Sequence, residues 1–133
     1  MKCLLDTHVW IWSQEDADSL GPQTQSILSE SANEIAVSTI STLEIARLIS
    51  LGQIHLEGSL KRWVSTSIRK LLAQSIPISH DIAIASYTLP GEFHKDPADR
   101  ILVATALTEK IVLLTADERI LDYPQVRSFD ASK

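Results

Sequence analysis

The chain is short of several features, and each shortage excludes something. Its 133 residues include one cysteine, Cys3, so an internal disulfide is excluded. Such sparse thiol usage favours a reducing, cytoplasmic setting, with Cys3 as small core filler in a strand. No apolar run approaches the ~20 residues of a membrane-spanning helix. The opening Met1-Lys2-Cys3-Leu4-Leu5-Asp6 meets an acid too soon to be a secretory signal. There is no internal repeat, low-complexity segment or linker, and the length suits one domain, 1–133, with a real core. Basic residues are in deficit, leaving a net charge of −5, which argues against a broad basic surface for nucleic acid. A carboxylate cluster built to hold divalent metal would itself inflate the acidic count. Composition therefore leaves a metal-dependent nuclease open, provided that any nucleic acid is gripped locally.

What is present is organised around Asp96-Pro97-Ala98-Asp99-Arg100 and the apolar run Ile101 to Leu107 behind it. Pro97 suits the first position of a helix, where its missing N–H is no loss. Asp96 can cap that helix, and Asp99 sits in its first turn at the positive end of the dipole. The residues that follow are apolar on nearly every face, so the helix is expected to be buried. Two carboxylates and an arginine then lie at the edge of a core, a costly arrangement unless something compensates it.

In chain order, Lys2 to Asp6 reads as a short strand ending in an acid, and Thr7 to Ser13 as a helical turn carrying Trp10 and Trp12. Gln23 to Ser31 predicts a polar helix and Glu34 to Ser38 a second strand. Ser41-Thr42-Leu43-Glu44 has the capping-box form, with a helical stripe running on to Gly52. Ser59 to Gln74 predicts an amphipathic helix with Leu60, Val64, Ile68, Leu71 and Leu72 inward and Lys61, Arg62, Arg69 and Lys70 largely outward. Ile76 to Ile78 is a short or edge strand because it holds Pro77. Ser79 to Tyr87 reads as a helix and Leu89 to Lys95 as a loop. Ile111 to Thr115 is the most strand-like run. Thr115-Ala116-Asp117-Glu118 repeats the capping-box form before a short helix, and Val126 to Phe129 is a last strand. Short apolar strands alternating with helices imply an α/β fold with a mostly parallel central sheet flanked by helices. Ligands of such sheets gather beyond the carboxyl ends of the strands. Asp6, Glu44, Asp99 and Asp117 can all converge on that rim.

Each acid also has a plain structural reason. Asp96 is a cap, Glu44 the reciprocal partner of Ser41, and Asp99 and Asp117 are first-turn carboxylates favoured by helix dipoles. Asp6 is the hardest to explain so, standing at the end of an apolar strand. If the four cluster, their repulsion raises their pKa values or recruits cations. Oxygen ligands without a matching Cys or His set favour Mg²⁺ or Mn²⁺ over Zn²⁺.

Four segments then carry a resemblance: Leu4-Leu5-Asp6-Thr7-His8, Ser41-Thr42-Leu43-Glu44-Ile45, His94-Lys95-Asp96-Pro97-Ala98-Asp99-Arg100 and Leu114-Thr115-Ala116-Asp117. In order and spacing they resemble the signature segments of PIN domains, and most of all the VapC-type ribonuclease toxins of bacterial toxin–antitoxin pairs. The resemblance runs nearly end to end and implies a three-layer PIN-like fold. It implies a metal-dependent endoribonuclease that hydrolyses RNA phosphodiesters by metal-activated water, with Asp6, Glu44, Asp99 and Asp117 as catalytic residues and ligands of Mg²⁺ or Mn²⁺. Of these, Asp117 matches the most variable position. Thr7 and Thr115 match supporting positions. Asp96 is a capping or outer candidate, and Arg100 a partner for a site carboxylate, a phosphate or a structural ion pair. The resemblance further implies a homodimer and a cognate small antitoxin. His8 and His94 lie beside this site, and His55 and His80 read as surface or cap residues. Trp10 and Trp12 read as core or dimer contacts, with base stacking as a third role. Two competing readings are a catalytically inactive PIN-like protein-binding module and an acidic-pocket phosphatase of the haloacid dehalogenase type. The latter lacks its second aspartate two residues beyond Asp6.

Overall fold

The computed structural model describes residues 1–133. Five strands, β1 (Lys2–Leu5), β2 (Glu34–Ser38), β3 (Gln74–Ile76), β4 (Val112–Thr115) and β5 (Ser128–Asp130), form one sheet in the order β3-β2-β1-β4-β5. Every neighbouring pair is parallel. The helices are α1 (Thr7–Glu15), α2 (Pro22–Ser29), α3 (Thr39–Ser50), α4 (Leu60–Leu71), α5 (His80–Ala85), α6 (Pro97–Glu109) and α7 (Glu118–Leu121).

The central strands are apolar between their polar end residues because both faces of the sheet are covered. Their side chains alternate between two cores. Leu4, Ala36 and Leu113 pack with Ile82 of α5 and Leu102, Val103 and Ala106 of α6. Cys3, Leu5, Ile35, Val37 and Leu114 pack on the other face with Val9 and Trp10 of α1 and Ile45 of α3. The result is the three-layer arrangement of helices, sheet and helices. As its all-round apolar sequence predicts, α6 is buried, with Leu102, Val103 and Ala104 fully enclosed. No helix is long and apolar enough to cross a membrane.

The chain lays down β1, β2 and β3 outward in one direction and then crosses to β4 and β5 on the other side. The strand order therefore reverses between β1 and β4, which makes the crevice above their carboxyl ends the natural ligand position. Asp6 leaves β1 at that point, its backbone N–H still bonded to the Leu114 carbonyl at 2.9 Å.

Several boundaries differ from the sequence reading. The α3 helix starts at Thr39, capped by Ser38, whose Oγ accepts from the Ile40 N–H at 3.1 Å. Ser41 is thus inside the helix, and Glu44 stands in its second turn rather than at its opening. A serine that ends a strand and meets a helix is a better cap than one three residues later, because its extended backbone is already in place. At the second capping-box form, Asp117 and not Thr115 caps α7. The β3 strand is indeed an edge, but it precedes Pro77, which has no N–H to continue the ladder. Leu72 does not face inward; it takes the left-handed conformation that closes α4 and is 86% exposed. Trp10 is wholly core, and its indole Nε1 donates to Ser67 Oγ on α4 at 2.9 Å. This bond ties the helix that leaves Asp6 to its neighbour. Ser67→Ala should therefore orphan a buried donor and cost about 1–3 kcal/mol, read as a lower urea midpoint at unchanged m-value.

Candidate functional site

Asp6, Glu44, Asp96, Asp99 and Asp117 line one cleft of about 360 Å³, joined by His8, Trp12, Ala116 and Arg119. The openings of α1, α6 and α7 and the second turn of α3 deliver these acids. Asp6 caps α1, its Oδ1 accepting from the Thr7 N–H at 2.7 Å. Capping thus accounts for one oxygen of the acid that the sequence left least explained. Its other oxygen accepts from Thr115 Oγ1 at 2.6 Å, and that same hydroxyl accepts from the Asp117 N–H at 3.0 Å. Thr115 therefore locks the ends of β1 and β4 together through one buried hydroxyl. Thr7 Oγ1 hydrogen-bonds Glu44 and approaches Ser41 Oγ at 2.9 Å. Asp96 caps α6, accepting from the N–H groups of Ala98 and Asp99 at 2.9 and 3.2 Å. Asp99 follows in the first turn, 8% exposed.

The electrostatics follow from this crowding. Burial, and then the charges of Asp6, Asp96, Asp117 and Glu44, push the Asp99 carboxyl up to about 7. Burial also raises Asp6 and Glu44, opposed by the hydroxyl bonds from Thr115 and Thr7 respectively. Asp117 moves the other way, because the Arg119 guanidinium grips it: Nε lies 3.2 Å from Oδ1 and Nη2 2.9 Å from Oδ2. Nη2 also lies 3.5 Å from Asp99 Oδ2.

His94 Nδ1 accepts from the Asp96 N–H at 3.3 Å, so Nε2 carries the proton of the neutral ring. That atom lies 3.1 Å from Asp99 Oδ2, yet it is buried with no aligned hydrogen-bond partner. The pair is in contact without a well-directed bond. Burial and then Arg119 lower the His94 pKa. Donor atoms of His94, Asp99 and Asp117 all lie within 4.8 Å of one another. An imidazole thus stands beside carboxylates that the oxygen-only reading took alone.

One site expectation needs correction, and one residue was missed. Arg100 pairs with no carboxylate and does not line the cleft. Its Nε donates to the Ser86 carbonyl at 2.8 Å, its Nη1 to the carbonyls of Phe93 and His94 at 3.0 Å, and its guanidinium lies 5.2 Å from the Tyr87 ring centroid. It braces the loop that delivers His94, because those carbonyls have no helix or sheet partner. Arg119 was the residue missed. Its signal lay in Asp117-Glu118-Arg119, where an arginine two residues beyond a helix cap can fold back on the capping acid. His55 is exposed, 3.8 Å from Glu57, and His80 is the exposed first residue of α5.

Comparison with known proteins follows from this geometry. A family model described as PIN domain matches residues 3–126. Ribonuclease VapC22 of Mycobacterium tuberculosis is 31% identical over 124 residues, covering 93% of each chain. Among solved structures, VapBC2 from Rickettsia felis bound to a DNA fragment from its promoter matches at a TM-score of 0.68. The identity is 18%, over 97% of this chain and 98% of that one. A toxin–antitoxin complex from Klebsiella pneumoniae matches at 0.66 and 22% identity, covering 97% of both chains. At these identities the structural matches speak for the fold.

The Asp99 environment makes a pH prediction. A carboxyl whose folded pKa of about 7 exceeds its ordinary 3.8 leaves the native state holding more protons than the unfolded chain between those values. Its contribution therefore falls as pH rises from about 4 to about 7. Asp6 and Glu44 act in the same sense, and Asp117 in the opposite one. Metal-free Asp99→Asn should be more stable than the parent by about 1–3 kcal/mol at pH 8 and equal to it near pH 4, by urea denaturation in EDTA. A variant less stable at pH 8 would contradict the crowding described.

Proposed function

The chain belongs to the PIN-domain family, and we propose that it is a metal-dependent endoribonuclease, the toxin of a toxin–antitoxin pair. The observation that supports this reading is the convergence of Asp6, Glu44, Asp99 and Asp117 from separate elements onto one cleft at the sheet's switch point. The ribonuclease name of the relative that shares 31% identity supports RNA as the substrate. Family membership sets aside the haloacid dehalogenase reading.

Whether the residues suit a divalent cation is answered by their protonation chemistry. A carboxyl at about 7, surrounded by four others, is a site short of positive charge. Its donors are carboxylate oxygens, a hard set suited to Mg²⁺ or Mn²⁺. We assign Asp6, Glu44, Asp99 and Asp117 to hold the ion, with His94 beside them. Such an ion supplies a lowered pKa for water and neutralises charge on a phosphoryl group. The protein's own part is positional. Thr115 and the Thr7 N–H fix the Asp6 carboxylate, Thr7 Oγ1 fixes Glu44, and the α6 N-terminus fixes Asp99. Asp96 orients that helix end. Arg119, already bonded to Asp117, is a cation at the rim within reach of an entering phosphate. The products expected are RNA fragments from hydrolysis of a phosphodiester in line with the departing oxygen.

The proposal extends to a cytoplasmic protein, a homodimer and a small cognate antitoxin. Its supports are the toxin–antitoxin complexes among the structural matches and an apolar face beside the site. Leu43 is 59% exposed on α3 and, with Ile40 and Leu48, lines a second cleft of about 410 Å³ that shares His8, Glu44 and Asp96 with the first.

Two measurements test these points. A labelled total-RNA pool should be cleaved with Mg²⁺ or Mn²⁺, and neither in EDTA nor by Asp99→Asn prepared identically. Cleavage by the variant at the parent rate would remove Asp99 from the site. In light scattering behind size exclusion, the protein should run at twice its 14.7 kDa at micromolar concentration; a monomer alone would refute the dimer.

A further inference from the structure

Five carboxylates and one arginine line the cleft, so bare charge repels an RNA strand there even before the chain's overall charge of −5 is counted. A metal neutralises the scissile phosphate but does nothing for the neighbouring nucleotide. The strand needs a second hold that does not depend on positive charge. His8 and Trp12 are the two aromatic side chains that line the same cleft. They stand four residues apart on α1 and so share one helix face, with ring centroids 5.8 Å apart and planes tilted by 53°. His8 is exposed and Trp12 half-buried. The other two tryptophans are committed elsewhere: Trp10 is fully enclosed and bonded to Ser67, and Trp63 packs on Trp10 while its Nε1 donates to Glu15 at 3.0 Å. Because Asp6 caps the helix that carries both rings, the distance from platform to carboxylates is set by a rigid element.

We propose that His8 and Trp12 form the seat for an unpaired nucleobase of the RNA strand, next to the carboxylates. This rests on the ribonuclease reading and requires a base that is splayed out of a helix, since only such a base can stack on protein. Stacking tolerates every base, so the seat holds the strand without reading its sequence.

The test is photo-cross-linking of the full-length protein to a short single-stranded RNA carrying 5-iodouridine, with Ca²⁺ in place of Mg²⁺ so that the carboxylates are neutralised while the strand stays intact. Peptide sequencing should place the adduct on Trp12 or His8. Trp12→Ala should lower the yield about tenfold or more, in line with loss of one stacked base, while Trp12→Phe restores most of it; because Trp12 also packs on the core, Trp12→Ala should melt lower than the parent and is assayed well below its midpoint. Should Trp12→Ala fail to fold, the adduct position and the Trp12→Phe yield decide. An adduct confined to the basic residues of α4, no adduct at all, or an undiminished yield from Trp12→Ala would overturn the seat. Metal-dependent cleavage together with an adduct elsewhere would remove the seat alone. An adduct on Trp12 without metal-dependent cleavage would remove the nuclease reading and leave an RNA-binding face.

Discussion

Mutual repulsion among carboxylates is the constraint on which this structure turns. Asp6, Glu44, Asp96, Asp99 and Asp117 face a common cleft, and in a medium of reduced dielectric such a group ionises only at a cost. The fold meets that cost with donors that it already has to place. The opening N–H groups of α1 and α6 would otherwise lack partners, and Asp6 and Asp96 accept from them. Two threonine hydroxyls serve Asp6 and Glu44. Capping a helix and facing the cleft, which look like rivals in the sequence, are compatible in Asp6, Asp96 and Asp117, while Glu44 and Asp99 cap no helix. For Asp6 the division is explicit, with Oδ1 on the Thr7 N–H and Oδ2 on the Thr115 hydroxyl.

This double duty explains how much could be read in advance. The strands at Lys2–Leu5, Glu34–Ser38 and Val112–Thr115 were legible because fully buried parallel strands leave short apolar runs bounded by polar residues. The buried α6 was legible because Asp96-Pro97 marks a start that little else produces. Convergence of the acids was legible from topology, as residues that end strands or open helices in such a sheet share one edge. The cap of α3 was not, because Ser38 closes a strand and local pattern credits it to that strand; the next serine, Ser41, drew the assignment instead. Arg100 and Arg119 were exchanged in effect. An arginine adjacent to Asp99 in sequence points to backbone carbonyls of the loop, while one twenty residues later reaches Asp99 and Asp117. Nearness along a helix says little about direction, since neighbours on a helix face about 100° apart.

Arg119 also changes what the metal-free cleft is. Burial and the same guanidinium lower the pKa of the neighbouring His94, and Arg119 is the one arginine or lysine among the lining residues. It bonds Asp117 through two nitrogens and stands 3.5 Å from Asp99. Any divalent ion using those carboxylates must share them with Arg119 or displace it. Sharing costs little for Asp117, whose four lone-pair sites can serve both, and more for Asp99, where a second cation would press against the first. Because Arg119 is largely exposed and sits on a four-residue helix, it can turn outward without disturbing the core. The residue that compensates Asp117 and Asp99 in the ion-free cleft is therefore the one that an entering ion would first have to accommodate.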